Sequence, residues 1–159
     1  SMSDRVAVMS SGEVQQIGSP AEIYEYPANR FVADFIGETN LLEATVDQIN
    51  EKSTLCKLPS GQFINAVPNC EVSVGQSGVI SIRPERLVMK KWSDSGQDLS
   101  GVLGSSTYLG TDTQFEVMLV DDLALAVRMQ NSALSPDKYQ YGDQVFVSIP
   151  DTAARFLVD

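Results

Sequence analysis

Few side chains in this chain of 159 residues have the types and spacing that catalysis requires. Histidine is absent, which excludes a histidine-based triad, an imidazole metal site and a histidine general base. Lys52-Ser53 ends as a phosphate-binding loop ends. Glu51, however, stands where that loop needs glycine, and no upstream glycine completes it. Ser10-Ser11-Gly12-Glu13 holds part of a second kind of phosphate-contacting loop, but it lacks the second glycine and reads as a turn. The carboxylate groupings are Asp121-Asp122, Glu22 with Glu25, and Glu38 with Glu43. Adjacent strand residues face opposite ways, so Asp121-Asp122 reads as a solvated turn. Gly110-Thr111-Asp112-Thr113 is too sparse for a calcium loop. Cys56 and Cys70 are too far apart for a CxxC site and read as packed, reduced thiols. No catalytic, cofactor-binding or metal-ligating residue is expected.

Charge narrows the partners. Eleven Lys and Arg against 21 Asp and Glu leave a formal net charge of −10. Phosphate backbones are bound by Lys and Arg, so nucleic acid is not expected. Lys90-Lys91-Trp92 is the only basic cluster with an aromatic beside it, and it reads as a loop anchored by Trp92. The hydroxyl-rich run from Ser105 to Thr111 reads either as a ligand contact or as a plain linker between strands.

The elements that position these residues fall into two groups. Residues 4–17 predict a β-hairpin turning at Ser10-Ser11-Gly12. Ser19-Pro20-Ala21-Glu22 is a capping box with proline at the first helical position, and Pro27 keeps that helix short. A second helix over Asn29 to Ile36 places Phe31, Val32, Phe35 and Ile36 on one face and stops at Gly37. From Leu41 the chain reads as short alternating strands separated by turn residues. A first set includes Leu42 to Val46, Leu55 to Leu58, Phe63 to Val67 and Val79 to Ile82. A second, after a polar loop from Lys90 to Ser100, runs Gly101 to Gly104, Phe115 to Val120, Leu123 to Met129 and Gln144 to Ile149. Such a series predicts a small β-barrel or sandwich. The composition shift at residues 37–40 divides the chain into 1–38 and 39–159. No apolar run approaches the roughly 20 residues that span a bilayer, and the first residues carry no leader pattern. A cytosolic protein is expected.

The first section resembles the end of the ATPase domain of ABC-transporter ATP-binding subunits. The residues that carry the resemblance are Ser3-Asp4-Arg5-Val6-Ala7-Val8-Met9, Gly12, Gln16-Ile17-Gly18-Ser19-Pro20, Glu22-Ile23-Tyr24, Pro27-Ala28-Asn29, Phe31-Val32-Ala33 and Phe35-Ile36-Gly37-Glu38. The second section resembles the transport-associated OB-like (TOBE) regulatory domain of the same subunits, through Ile82-Arg83-Pro84-Glu85, Tyr108-Leu109-Gly110 and Gly142-Asp143-Gln144-Val145. Gly37-Glu38-Thr39-Asn40-Leu41-Leu42 with Ala44-Thr45-Val46 is most similar to the spermidine/putrescine importers, although iron, maltose, sulfate and molybdate relatives share the general pattern.

The resemblance implies a mainly β fold, an OB-like barrel preceded by a hairpin and two short helices. It implies a C-terminal piece, residues 1–38 being the end of the nucleotide-binding domain and 39–159 the regulatory domain. ATP and Mg2+ would then belong to the full-length parent, whose catalytic motifs are not found here. The implied partners are a second copy of the ATPase subunit and, through the whole protein, the transmembrane permease subunits at the inner face of the membrane. Phe31, Val32, Phe35 and Ile36 would pack on the nucleotide-binding core. Taken from it, the helices are expected to fold onto the barrel, dimerise or swap. Arg83, Glu85, Tyr108 and Gly110 are the candidate interface or regulatory residues, each also readable as a turn or core-edge residue. The alternative is a stand-alone barrel that binds an oxyanion or a metabolite.

Overall fold

A computed structural model describes residues 4–93, 96–131 and 138–158. Strands β1 (Val6–Ser10) and β2 (Glu13–Gly18) form the expected hairpin. Ser11 and Gly12 turn it with positive φ of 51° and 80°, as tight hairpins require. Helix α1 (Pro20–Glu25) starts at Ser19, whose hydroxyl accepts the Glu22 N–H at 3.2 Å. Helix α2 (Arg30–Ile36) starts at Asn29, whose side chain accepts the Val32 N–H at 3.0 Å. Gly37 ends α2, but by a different route from the left-handed cap that glycine usually supplies. Its backbone is fully extended (φ 177°, ψ 173°), so the last carbonyls of the helix find their partner elsewhere.

Ten further strands follow: β3 (Asn40–Ile49), β4 (Thr54–Lys57), β5 (Phe63–Pro68), β6 (Ser77–Ile82), β7 (Val88–Lys90), β8 (Leu99–Tyr108), β9 (Asp112–Leu119), β10 (Ala124–Gln130), β11 (Gln144–Ser148) and β12 (Ala154–Leu157). β3 through β6 with β12 close a five-stranded barrel in the order β12-β5-β4-β3-β6. Among the described residues only β12 and β5 pair in parallel, at Arg155–Val67 and Phe156–Pro68. This is the small barrel that the alternation predicts, and the OB-like fold that the resemblance implies. Between β6 and β12 the chain builds a separate five-stranded sheet, β10-β9-β8-β11-β7. Barrel and sheet share one core, in which Leu42, Ile80 and Phe156 join Leu99, Val117, Leu125 and Val147.

Several local expectations change. Ser105 to Tyr108 is not a linker, because β8 continues through it. A bulge allows this: Leu103 faces Val117 and Ser106 faces Phe115, so one extra residue is absorbed without ending the pair. β8 starts at Leu99, inside the expected polar loop, of which Asp94 and Ser95 lie outside the described residues. Trp92 does not anchor that loop; it is 60% exposed. The neighbouring lysines are engaged with carboxylates, Lys90 with Asp98 at 3.6 Å and Lys91 with Asp143 at 3.3 Å. Cys56 is buried and free as expected, whereas Cys70 is exposed. Asp121 and Asp122 form the turn that the sequence predicts, at φ of 68° and 58°.

Gly78 of β6 shows how tightly the barrel closes. A Cβ there would stand 2.6 Å from both the Leu157 carbonyl oxygen and the fully buried Phe156 ring. Neither can retreat, since one is backbone and the other fills the core. Gly78→Ala is expected to destabilise the fold by about 1–3 kcal/mol, read as a lower urea midpoint at unchanged slope.

Candidate functional site

The joint between the helices and the barrel gathers the densest set of polar contacts. It is built from the short segment after β6. Arg83 leaves the end of β6, and Pro84 to Arg86 form one 3₁₀ turn. All three charged residues of this segment address the helical section. Arg83, only 6% exposed, donates through Nη1 to the carbonyls of Ala33 (3.1 Å), Gly37 (2.9 Å) and Glu38 (3.1 Å). Its Nη2 reaches the Tyr24 carbonyl at 3.4 Å, and its guanidinium lies 4.3 Å from the Tyr24 ring centroid. The Glu85 carboxylate accepts a hydrogen bond from the Tyr24 hydroxyl. Arg86 pairs with Glu25 at 3.3 Å.

Residues 37–40 complete the joint. Gly37 and Glu38 give their carbonyls to Arg83. The Glu38 carboxylate accepts both of its bonds from the Gln114 amide at 2.9 Å and lies 3.9 Å from Arg128, both on the inserted sheet. The Thr39 and Ser81 hydroxyls are 2.7 Å apart. Asn40, 7% exposed, bonds both backbone groups of Ala126 at 2.8 Å, filling an edge position of β10 as a strand would. The composition shift at residues 37–40 is thus a heavily bonded junction. On the far side, Asn69 donates to the Ala28 carbonyl at 2.6 Å and Arg155 lies 4.4 Å from the Tyr26 ring centroid.

Electrostatics follow from burial. The Tyr24 hydroxyl is pushed up to about 12, first by desolvation and then by its bond to Glu85 and the charge there. Burial draws the Arg83 guanidinium below its ordinary value, while the charges of Tyr24, Glu85 and Glu25 oppose that shift. The joint holds a neutral phenol and a cation against backbone carbonyls.

The candidate residues therefore divide. Arg83 and Glu85 meet in the joint. Tyr108 and Gly110 lie at the far tip of the β8–β9 hairpin, Tyr108 being 75% exposed and Gly110 turning at φ 94°. The expected single apolar face of α2 is split: Val32 is fully buried and Ile36 packs against the same small core with Val8 and Ile23. Ala33 meets Val79 and Leu157 of the barrel, which seats the helix on it. Phe31 and Phe35 turn outward, stacked at 5.7 Å between centroids and 40% and 65% exposed. Tyr24, Arg86, Asn40 and Gln114 were not picked out by sequence. The one available signal was the charge density around Pro84.

Lys52-Ser53 lies in the turn between β3 and β4, where the Asn50 N–H bonds the Ser53 carbonyl at 2.9 Å. A strand follows it, so no phosphate-wrapping loop opens onto a helix there. A cleft of about 770 Å³ lies beside that turn, where Lys52 shares the lining with Asn65, Asp98 and Asp151. None of the described residues forms a group of three or more His, Cys, Asp or Glu suited to a metal ion. No described helix is long and apolar enough to cross a membrane.

Comparison with known proteins gives a consistent set of relatives. Residues 80–157 match the TOBE domain family. The chain is 44% identical over 158 residues to the spermidine/putrescine import ATP-binding protein PotA of Ruegeria pomeroyi, covering 99% of this chain and 42% of that protein. The protein of the same name from Pseudomonas fluorescens is 42% identical over 158 residues, with the same coverage of 99% and 42%. That of Thermobifida fusca is 37% identical over 150 residues, covering 92% and 38%. The chain spans less than half the length of these relatives. Among solved structures, the cytoplasmic molybdate-binding protein ModG with molybdate bound superposes at a TM-score of 0.68, over 76% of this chain and 96% of that one. At 13% identity, that likeness is one of fold alone.

Arg83→Met keeps the length of the side chain but leaves the carbonyls of Ala33, Gly37 and Glu38 unbonded. A loss on the order of 3 kcal/mol is expected, with faster amide exchange in α2 than in the barrel. The raised Tyr24 value also sets a pH window. Its stabilisation is fully present below the ordinary value of 10.0 and is lost as pH rises through about 12. Between those values the urea midpoint of the wild type should fall faster than that of Tyr24→Phe.

Proposed function

The chain belongs to the TOBE-domain family and matches the C-terminal part of spermidine/putrescine import ATP-binding proteins, and from that premise we propose that it is the non-catalytic regulatory and dimerisation module of such a subunit. The observation that carries the proposal is the 44% identity maintained over 99% of the chain, across helices and barrel together. In this reading residues 1–38 close the nucleotide-binding domain and residues 39–159 form the regulatory domain. ATP and Mg2+ are handled by the catalytic part of the complete subunit, which works as a homodimer beneath the permease at the cytoplasmic face of the membrane. Polyamine is the cargo of the assembly, and this chain need not touch it.

The joint supports that role physically. A regulatory domain acts on an ATPase domain only if displacement of one is passed to the other. Arg83 bonds the last turn of α2 and the two residues after it, while rooted in the barrel at the end of β6. A seven-residue helix held this way moves with the barrel as one body.

The alternative is a stand-alone oxyanion-binding barrel. The mixed charge of the 770 Å³ cleft, where Asp98 and Asp151 stand with Lys52, works against it. Two measurements separate the readings. The purified chain is expected to self-associate with rising concentration in sedimentation, and to give no heat with molybdate or sulfate. A monomer that binds either oxyanion tightly, or turns over ATP above the buffer rate, would overturn the proposal.

A further inference from the structure

Beyond the bulge the outer edge of β8 has, among the described residues, neither a strand nor a side chain laid along it; the hairpin strands β1 and β2 also have outer edges, but Asp4, Arg5 and Glu13 stand beside those. β11 pairs with β8 only from Leu99 to Val102. Two more bonds, Leu103 N–H to the Asp143 carbonyl and Gly142 N–H to the Leu103 carbonyl, both 2.8 Å, end the contact. From Ser105 to Tyr108 the strand is paired on its β9 side alone, and all four residues are exposed. The barrel is closed, and the β10 edge is filled at Ala126 by Asn40.

An unpaired edge is a template for another strand, and proteins ordinarily protect such edges with charges, above all lysine. This edge has none. Leu99 to Thr111 contains no Asp, Glu, Lys or Arg, in a chain of net charge −10. Flanking it are exposed side chains of the kind that bury well: Tyr108 at 75%, Leu109 at 47%, and Tyr141, next to Gly142, at 85%.

We propose that Ser105–Tyr108 pairs antiparallel with the same segment of a second copy, joining two inserted sheets across a two-fold axis. The proposal rests on the dimerisation reading above and assigns its contact. Charge selects this occupant: two copies of an acidic protein repel each other least along an uncharged edge, whereas a partner recognised by its charge has nothing there to hold. A two-fold through the strand makes the edge its own complement. The area is adequate. An aromatic side chain buries about 150–250 Å², so Tyr108 and Tyr141 of both copies, with Leu109 and the strand backbone, reach the roughly 1,000 Å² that a specific contact needs.

Sedimentation of the wild-type chain, Thr107→Lys and Phe35→Ser tests this, with circular dichroism and the urea midpoint reporting the fold of each. Thr107→Lys puts a lysine from each copy into the paired edge and should weaken self-association at least tenfold, while Phe35→Ser leaves it unchanged. As a check that needs no variant, wild-type amide exchange at residues 105–108 should slow as protein concentration rises. Self-association that survives Thr107→Lys, or is lost in Phe35→Ser instead, overturns the assigned edge and leaves the dimer reading standing. Concentration-independent exchange at residues 105–108 in a chain that still self-associates does the same. A wild-type chain that stays monomeric at every concentration overturns both.

Discussion

The guanidinium of Arg83 is the interaction on which the arrangement of this chain depends. Helix α2 has seven residues and cannot persist on its own propensity. Its C-terminal end lacks the left-handed cap that would satisfy its last carbonyls, because Gly37 is extended. Arg83 supplies that cap from outside the helix, with a positive charge where the helix dipole favours one. Its cost is burial of a cation. Three carbonyls, the face of Tyr24, and the nearby carboxylates of Glu85 and Glu25 offset it.

The surrounding residues fall into place around that group. Arg86 and Glu85 stand on the same 3₁₀ turn, and each takes a partner on α1. The junction at residues 37–40 sends one bond set to Arg83, one to the inserted sheet and one to β6. Helical section, barrel and inserted sheet therefore meet at four consecutive residues. A change in any one of the three bodies is felt by the other two through a few backbone carbonyls and two amide side chains.

Much of this was legible in the sequence, for local reasons. The Ser19 cap and the turns at Ser11-Gly12 and Asp121-Asp122 are set by neighbouring residues, and all appear where expected. So does the alternation of Leu42, Ala44 and Val46, each buried in the barrel. The features that escaped reading depend on residues distant in sequence. Nothing local marks Asn40 as the partner of Ala126, or Tyr24 as the partner of Glu85. The facing of α2 failed for a similar reason. Periodicity grouped Phe31 and Phe35 with Val32 and Ile36, but the barrel receives Ala33, and rotation about the helix axis is decided by that docking. The extent of β8 was hidden by its bulge, because an inserted residue breaks the alternation that marks a strand.

The position of β12 has a consequence for how the chain comes to its fold. β12 closes the barrel between β5 and β6, yet residues 83–153 lie between it and β6. A chain emerging from the ribosome exposes β5 and β6 as open edges until Ala154–Leu157 appears. The β3–β4–β5 and β8–β9–β10 meanders pair strands close in sequence, whereas β12 meets β5 and β6 across the whole inserted sheet. The barrel, although most of its strands are made first, closes only after the inserted sheet has been made. Four residues, Ala154–Leu157, thus seal a core built from strands that begin at Asn40.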